Sequence, residues 1–226
     1  MIGIYLIFGI FALLSWFVSH QLKSRFTKYS KIPTQGGMSG RDVVEKMLRD
    51  NGVSGVKVGT VSGKLSDHYD PTNKTINLSH DVFFGTNVAA AAVAAHECGH
   101  ALQHAKAYSM LNLRSSLVPS VSIASKWCPW LLLAGIIFLN SFPQLLLIGI
   151  LMYAATTIFS FITLPVEIDA SRRATAWLAH SGVVAPIHHA KAVDALKWAA
   201  YTYVVAALAS LATLLYYVLI YFSGRD

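Results

Sequence analysis

Five consecutive residues, His96-Glu97-Cys98-Gly99-His100, have the types and spacing for hydrolytic metal chemistry. On a helix, residues four apart share one face, about 40° apart around the axis and one turn along it. Two imidazoles placed this way reach one metal ion at about 2.0–2.1 Å. Glu97 projects to their side, where its carboxylate takes a proton from water without using a metal position. Zinc supplies the rest, bringing the pKa of a bound water towards ~7 and polarising a peptide carbonyl. This division of labour is what the H-E-x-x-H spacing provides. The competing interpretation is a helix that merely carries two surface histidines and a glutamate.

A catalytic zinc takes three protein ligands and keeps a fourth position open. A metzincin would need a histidine at position 106, which is Lys106. His104 sits ~6 Å along the helix beyond His100, too far to share the ion; it reads as an outer or surface group. The better candidate is Glu167, in Leu164-Pro165-Val166-Glu167-Ile168-Asp169-Ala170-Ser171-Arg172-Arg173. Asp169 competes with it, although an acid in a first helical turn also favours the helix dipole. Cys98 fills a free position of the pattern and is expected to pack.

The motif needs a helix, and the spacing predicts one over Val88 to Ala105, capped by Asn87. Its first eight residues are six Ala and two Val, small enough for other helices to approach closely. Upstream, Ser39-Gly40-Arg41-Asp42 predicts a helix start with a capping acid. That helix runs to about Asp50, with Gly52 at its end. Val56 to Val61 and Thr75 to Leu78 read as short strands, and Asp70-Pro71-Thr72-Asn73 as a turn. Ser79 is expected to cap a short helix over Asp81 to Phe84. The strand just before the active helix either pairs with substrate backbone or is an ordinary hairpin strand. Asp67, His68, Tyr69 and Asp70 either line the cleft or form a hydrogen-bonded loop, and the loop is the favoured reading.

The rest of the chain is apolar. Of 226 residues, 54% are hydrophobic and 13% charged, with mean hydropathy +0.50. Ordinary soluble domains carry roughly 25% charged residues. The deficit is concentrated in Ile2–Val18, Trp127–Leu139, Gln144–Leu164 and Ala199–Phe222, four candidate spans. Asn140-Ser141-Phe142-Pro143 breaks the middle two into a hairpin, and Glu167 to Ala179 is expected as a separate polar helix. No basic stretch precedes the first run and Ser-His-Gln-Leu-Lys after it is a poor cleavage site, so it reads as a retained anchor. Lys126 and Trp127, and Tyr201 and Tyr203, suit a membrane interface. His188 and His189 read as a surface loop.

Net charge is +7. The bases crowd beside apolar runs rather than interleaving with aromatics, which excludes a nucleic-acid surface and favours a topology signal. Of 18 Lys and Arg, 13 lie between the first and second spans, four between the third and fourth, and one, Arg225, at the C-terminal end. The positive-inside rule puts both polar segments in the cytoplasm and both chain ends outside. Two cysteines, Cys98 and Cys128, make no disulfide framework.

His96 to His104 and Leu164 to Ala174 resemble the YugP-like neutral zinc metallopeptidases of bacterial membranes. Ser66-Asp67-His68-Tyr69-Asp70-Pro71 and Ala200-Tyr201-Thr202-Tyr203-Val204 are similar to that family too, so the likeness spans nearly the whole chain. The resemblance implies a gluzincin site, with one zinc ion on His96, His100 and Glu167 and with Glu97 as the catalytic carboxylate. More distantly the layout resembles the HtpX and CAAX prenyl protease superfamily, which carries Glu-x-x-x-Asp at the third ligand. Here the last position of that motif is Ser171. The expected carboxylate is therefore missing or supplied by another residue, with Asp169 and Asp194 as candidates.

The expectation is a mostly α membrane protein with about four transmembrane helices and a zincin-like catalytic unit containing a small β element. Its parts are an anchor over 1–20, a catalytic region over 21–126 and a transmembrane hairpin over 127–164. A segment carrying the third ligand follows over 165–198, then a last span and tail over 199–226. The expected function is a multi-pass cell-membrane zinc metalloendopeptidase, cutting membrane or membrane-proximal proteins at a site on the cytoplasmic side. The alternative is a non-proteolytic scaffold or chaperone with a relic metal site, which the intact set of four site residues disfavours. A transporter is disfavoured because the spans hold almost no charge. Substrate identity and oligomeric state are not legible.

Overall fold

The computed structural model describes residues 2–223. Among them, seven α-helices and three short strands follow the order α1 (Ile2–Tyr29), α2 (Gly40–Asp50), β1 (Lys57–Val61), β2 (His68–Asp70), β3 (Thr75–Ser79), α3 (His80–Phe83), α4 (Val88–Ala105), α5 (Ser109–Ile137), α6 (Pro143–Leu178) and α7 (Pro186–Ser223). The mostly helical expectation is met. Four helices, α1, α5, α6 and α7, are long and apolar enough to cross a membrane.

Several local signals act as expected. Ser39 and Asp42 form a reciprocal capping box at the start of α2, and Gly52 takes positive φ just beyond its end. The Asn87 side chain accepts from the Ala90 N–H at 3.0 Å and caps α4. Asp70 accepts from the N–H groups of Thr72 and Asn73, which holds the turn between β2 and β3.

Other elements depart from expectation. Ser79 precedes α3 but makes no cap bond; its N–H and hydroxyl donate to Asp67 instead. A third strand, β2, forms where a loop was expected. It pairs antiparallel with β3, while β1 pairs with β3 in parallel, giving the order β1-β3-β2. The strand before the active helix is therefore the central one. β1 lines one side of it along Thr75–Ser79 and β2 the other side at Thr75–Asn77, so it is not an edge strand open to a substrate backbone along its length. The polar helix expected to begin at Glu167 is instead the end of α6, which runs on through Pro165. Proline removes one backbone donor, but helices with neighbours to satisfy the freed carbonyl tolerate it. His188 and His189 lie in the first turn of α7 rather than in a loop.

The chain divides into two compact units. One gathers 18–111 and 165–201. Its core buries Val43, Val44 and Met47 of α2, Ile76 and Leu78 of β3, and the alanine face of α4 together with Cys98. Removing such apolar surface from water contributes about 25 cal/mol per Å². Arg25 and Tyr29 from α1 both hold Asp194 of α7 in this unit, at 2.7 and 2.6 Å.

The second unit takes the remaining residues of α1, α5, α6 and α7. Here Cys128 and Leu132 of α5 pack on Leu146 and Ile150 of α6. Gly135 permits the contact, since a Cβ there would meet the Leu146 backbone at 2.5 Å. Thr157 and Ser210 share a 2.6 Å hydrogen bond between α6 and α7, a polar link of the kind found between helices in lipid. Large apolar side chains such as Leu13, Trp130 and Leu219 stay exposed on these helices, as surfaces covered by lipid do.

Candidate metal centre

Two helices bring the candidate residues together. α4 supplies His96, Glu97 and His100, and α6 supplies Glu167. They touch at Gly99, where an added Cβ would lie 2.6 Å from the Ala170 carbonyl oxygen. A free position of the motif is thus occupied by the one residue that allows the two backbones to meet. That contact brings Glu167, one turn earlier on α6, against the two histidines.

The Nε2 atoms of His96 and His100 lie 3.3 and 3.6 Å from the same carboxylate oxygen, Glu167 Oε2. The rings are 4.8 Å apart and nearly perpendicular. One ligand atom from each of His96, His100 and Glu167 falls within 4.8 Å of the others, a set able to hold a metal ion. Glu167 Oε2 is buried and accepts no hydrogen bond. A buried carboxylate oxygen without a donor is costly and wants a positive partner. The histidine side chains keep 13% and 11% of their surface exposed, so the cluster is not sealed from solvent.

The outer nitrogens are engaged as well. His96 Nδ1 lies 3.0 Å from the Ser171 hydroxyl, and His100 Nδ1 lies 3.1 Å from Gln103 Oε1. Gln103 Nε2 donates to the Val166 carbonyl and to Asp169. Asp169 is also paired with Arg172 and Arg173. Burial pushes the His100 pKa down, but the negative charges of the neighbouring Glu97 and Glu167 carboxylates outweigh it and raise the pKa. Burial also pushes the Cys98 thiol up and keeps it protonated, so Cys98 packs in the core.

Of the residues singled out from sequence, His96, His100 and Glu167 converge, with Glu97 buried on the same helix. Asp169 does not join the cluster; it holds Gln103 and two arginines. Asp194 pairs with Tyr29 and Arg25 and touches neither histidine. His104 accepts or donates to the Tyr69 hydroxyl at 2.7 Å, tying α4 to β2. His189 Nε2 bonds the Thr175 carbonyl at 2.9 Å. Sequence reasoning missed Gln103 and the direct role of Ser171. Their spacing carries a partial signal: Gln103 is three residues after His100 on one helix, and Ser171 four after Glu167 on the other.

Comparison with known proteins agrees with this geometry. Residues 4–222 match the family model described as "Putative neutral zinc metallopeptidase". The chain is 41% identical over 213 residues to the "Putative membrane protease YugP" of Bacillus subtilis (strain 168), covering 94% of each chain. No solved structure matches.

Proposed function

The chain belongs to the neutral zinc metallopeptidase family, and on that premise we propose that it is a membrane-bound zinc endopeptidase. His96, His100 and Glu167 hold the ion, and Glu97 is the catalytic carboxylate. One observation carries the proposal. Two ligand atoms bound at 2.0–2.1 Å to one tetrahedral ion lie about 3.3–3.4 Å apart. The two Nε2 to Oε2 separations, 3.3 and 3.6 Å, fit that requirement, and the donorless Oε2 supplies the negative charge an ion would neutralise.

Zinc, when bound, supplies Lewis acidity and makes a water nucleophilic near neutral pH. The protein's own groups do the remaining work. Glu97 accepts the proton of the attacking water and delivers it to the nitrogen of the leaving amine. Glu167 and the histidines stay in place through their partners on α4 and α6. Substrates are exposed segments of membrane or membrane-proximal proteins, as the relative's description as a membrane protease suggests. The distribution of Lys and Arg supports a cytoplasmic site.

The test is a comparison of membranes containing wild-type protein with membranes containing Glu97→Gln, using proteomics to find new peptide termini and metal analysis of both purified proteins. Wild type should bind one zinc ion and generate cleavage products. Glu97→Gln should keep the zinc and lose the products. Cleavage by the variant overturns the role of Glu97, and a wild type without zinc favours a scaffold.

A further inference from the structure

We propose that Gln103 is the positioning residue for the His100 ligand, and that Asp169 acts on this histidine through it. The inference rests on the zinc assignment of the site. Gln103 is fully buried, although its neighbours on α4 are largely apolar. All its polar atoms have partners, and those partners leave one arrangement.

The Val166 carbonyl, 2.8 Å from Gln103 Nε2, is an acceptor only. The atom facing it must therefore be the amide nitrogen, whose second hydrogen reaches Asp169 Oδ2 at 3.0 Å. The other end of the amide is then the carbonyl oxygen, which only accepts. Its partner is His100 Nδ1, so that nitrogen carries the ring proton. In the neutral ring Nε2 is left with a bare lone pair, and Nε2 is the atom that faces Glu167. Two carbonyl groups thus select the tautomer that binds metal.

The chain of partners continues outward. Asp169 Oδ1 accepts from Arg172 Nη2 at 2.8 Å, and Oδ2 from Arg173 Nε. The arginines hold the carboxylate in place, the carboxylate orients the amide, and the amide orients the imidazole. Hydrogen bonds linked in series polarise one another. The negative Asp169 makes Gln103 a better acceptor and His100 a stronger ligand. In many zinc sites a carboxylate bonds the ligand histidine directly; here it is one amide further out. Ser171 does not do the same for His96, because a hydroxyl both donates and accepts and so leaves that tautomer open.

The experiment measures zinc affinity of the full-length, detergent-solubilised protein by chelator competition, with the visible spectrum of the cobalt-substituted protein as a second readout. Gln103→Met keeps the length of the side chain and removes every polar atom. It should weaken zinc binding by about 10–100-fold, the usual cost of losing such a partner, and alter the cobalt spectrum. Asp169→Asn should weaken binding less. The double variant should bind no more weakly than Gln103→Met alone, because residues acting through one chain are not additive. Wild-type affinity and spectrum in Gln103→Met overturn the proposal, as do Gln103 and Asp169 effects that multiply. Should Gln103→Met lack a cooperative thermal transition, Asp169→Asn decides: unchanged affinity and spectrum overturn it. Failure of wild type to bind zinc, or undiminished binding by His96→Ala, instead removes the zinc assignment itself.

Discussion

Replacing Gly99 with alanine tests whether the contact between α4 and α6 builds the metal centre. In an isolated helix, Gly→Ala stabilises by about 0.8–1 kcal/mol. Here the new Cβ would stand 2.6 Å from the Ala170 carbonyl oxygen and 3.1 Å from its carbonyl carbon and Cα. Close carbon–oxygen contacts in proteins lie at about 3.3–3.6 Å, so the helices must separate by roughly 0.7 Å. The obstacle is backbone, so no side-chain rotation relieves it. Overpacking of this kind costs about 1–3 kcal/mol, which outweighs the propensity gain and leaves a net loss of up to about 2 kcal/mol. The separation also carries Glu167 away from the histidines, lengthening distances of 3.3 and 3.6 Å that already match one ion. A displacement near 1 Å costs about 10²-fold in catalysis. The assay pairs thermal unfolding in detergent with a zinc titration. Gly99→Ala should melt at a lower temperature and bind zinc more weakly. A variant that melts higher, as helix propensity alone requires, and binds zinc normally refutes this account.

Three further perturbations have expected outcomes. Asn87→Ala removes the cap of α4 and should destabilise by about 0.5–2 kcal/mol in chemical unfolding. Tyr69→Phe loses the bond to His104 that ties β2 to α4; about 1 kcal/mol should disappear, with faster amide exchange in 68–70. Zinc affinity should fall as pH drops, beginning above the ordinary histidine pKa of about 6.5, because the metal-free site raises the His100 pKa. In the metal-free protein the sign reverses. A raised folded-state pKa contributes stability that is fully present below about 6.5 and lost as pH rises through the folded value. Melting curves of metal-free and zinc-loaded protein at several pH values check both directions.

What the sequence determined by itself was whatever depends on neighbours within a turn or two. The helical face shared by His96 and His100, the capping box at Ser39 and Asp42, the Asn87 cap and the four apolar runs follow from local periodicity and solvation. Short-range geometry is nearly the same in any fold. What depends on distant partners was decided only by tertiary structure. That α6 continues through Pro165 is seen only in the folded chain, and the central position of β3 is set by strands on both its sides. No carboxylate stands at Ser171, whose hydroxyl meets His96, while Asp169 holds Gln103, 66 residues away, and Gln103 meets His100. No spacing rule pairs residues so far apart. Gly99 shows the division within the motif itself: sequence leaves that position free, and the close approach of Ala170 requires a residue without a side chain there.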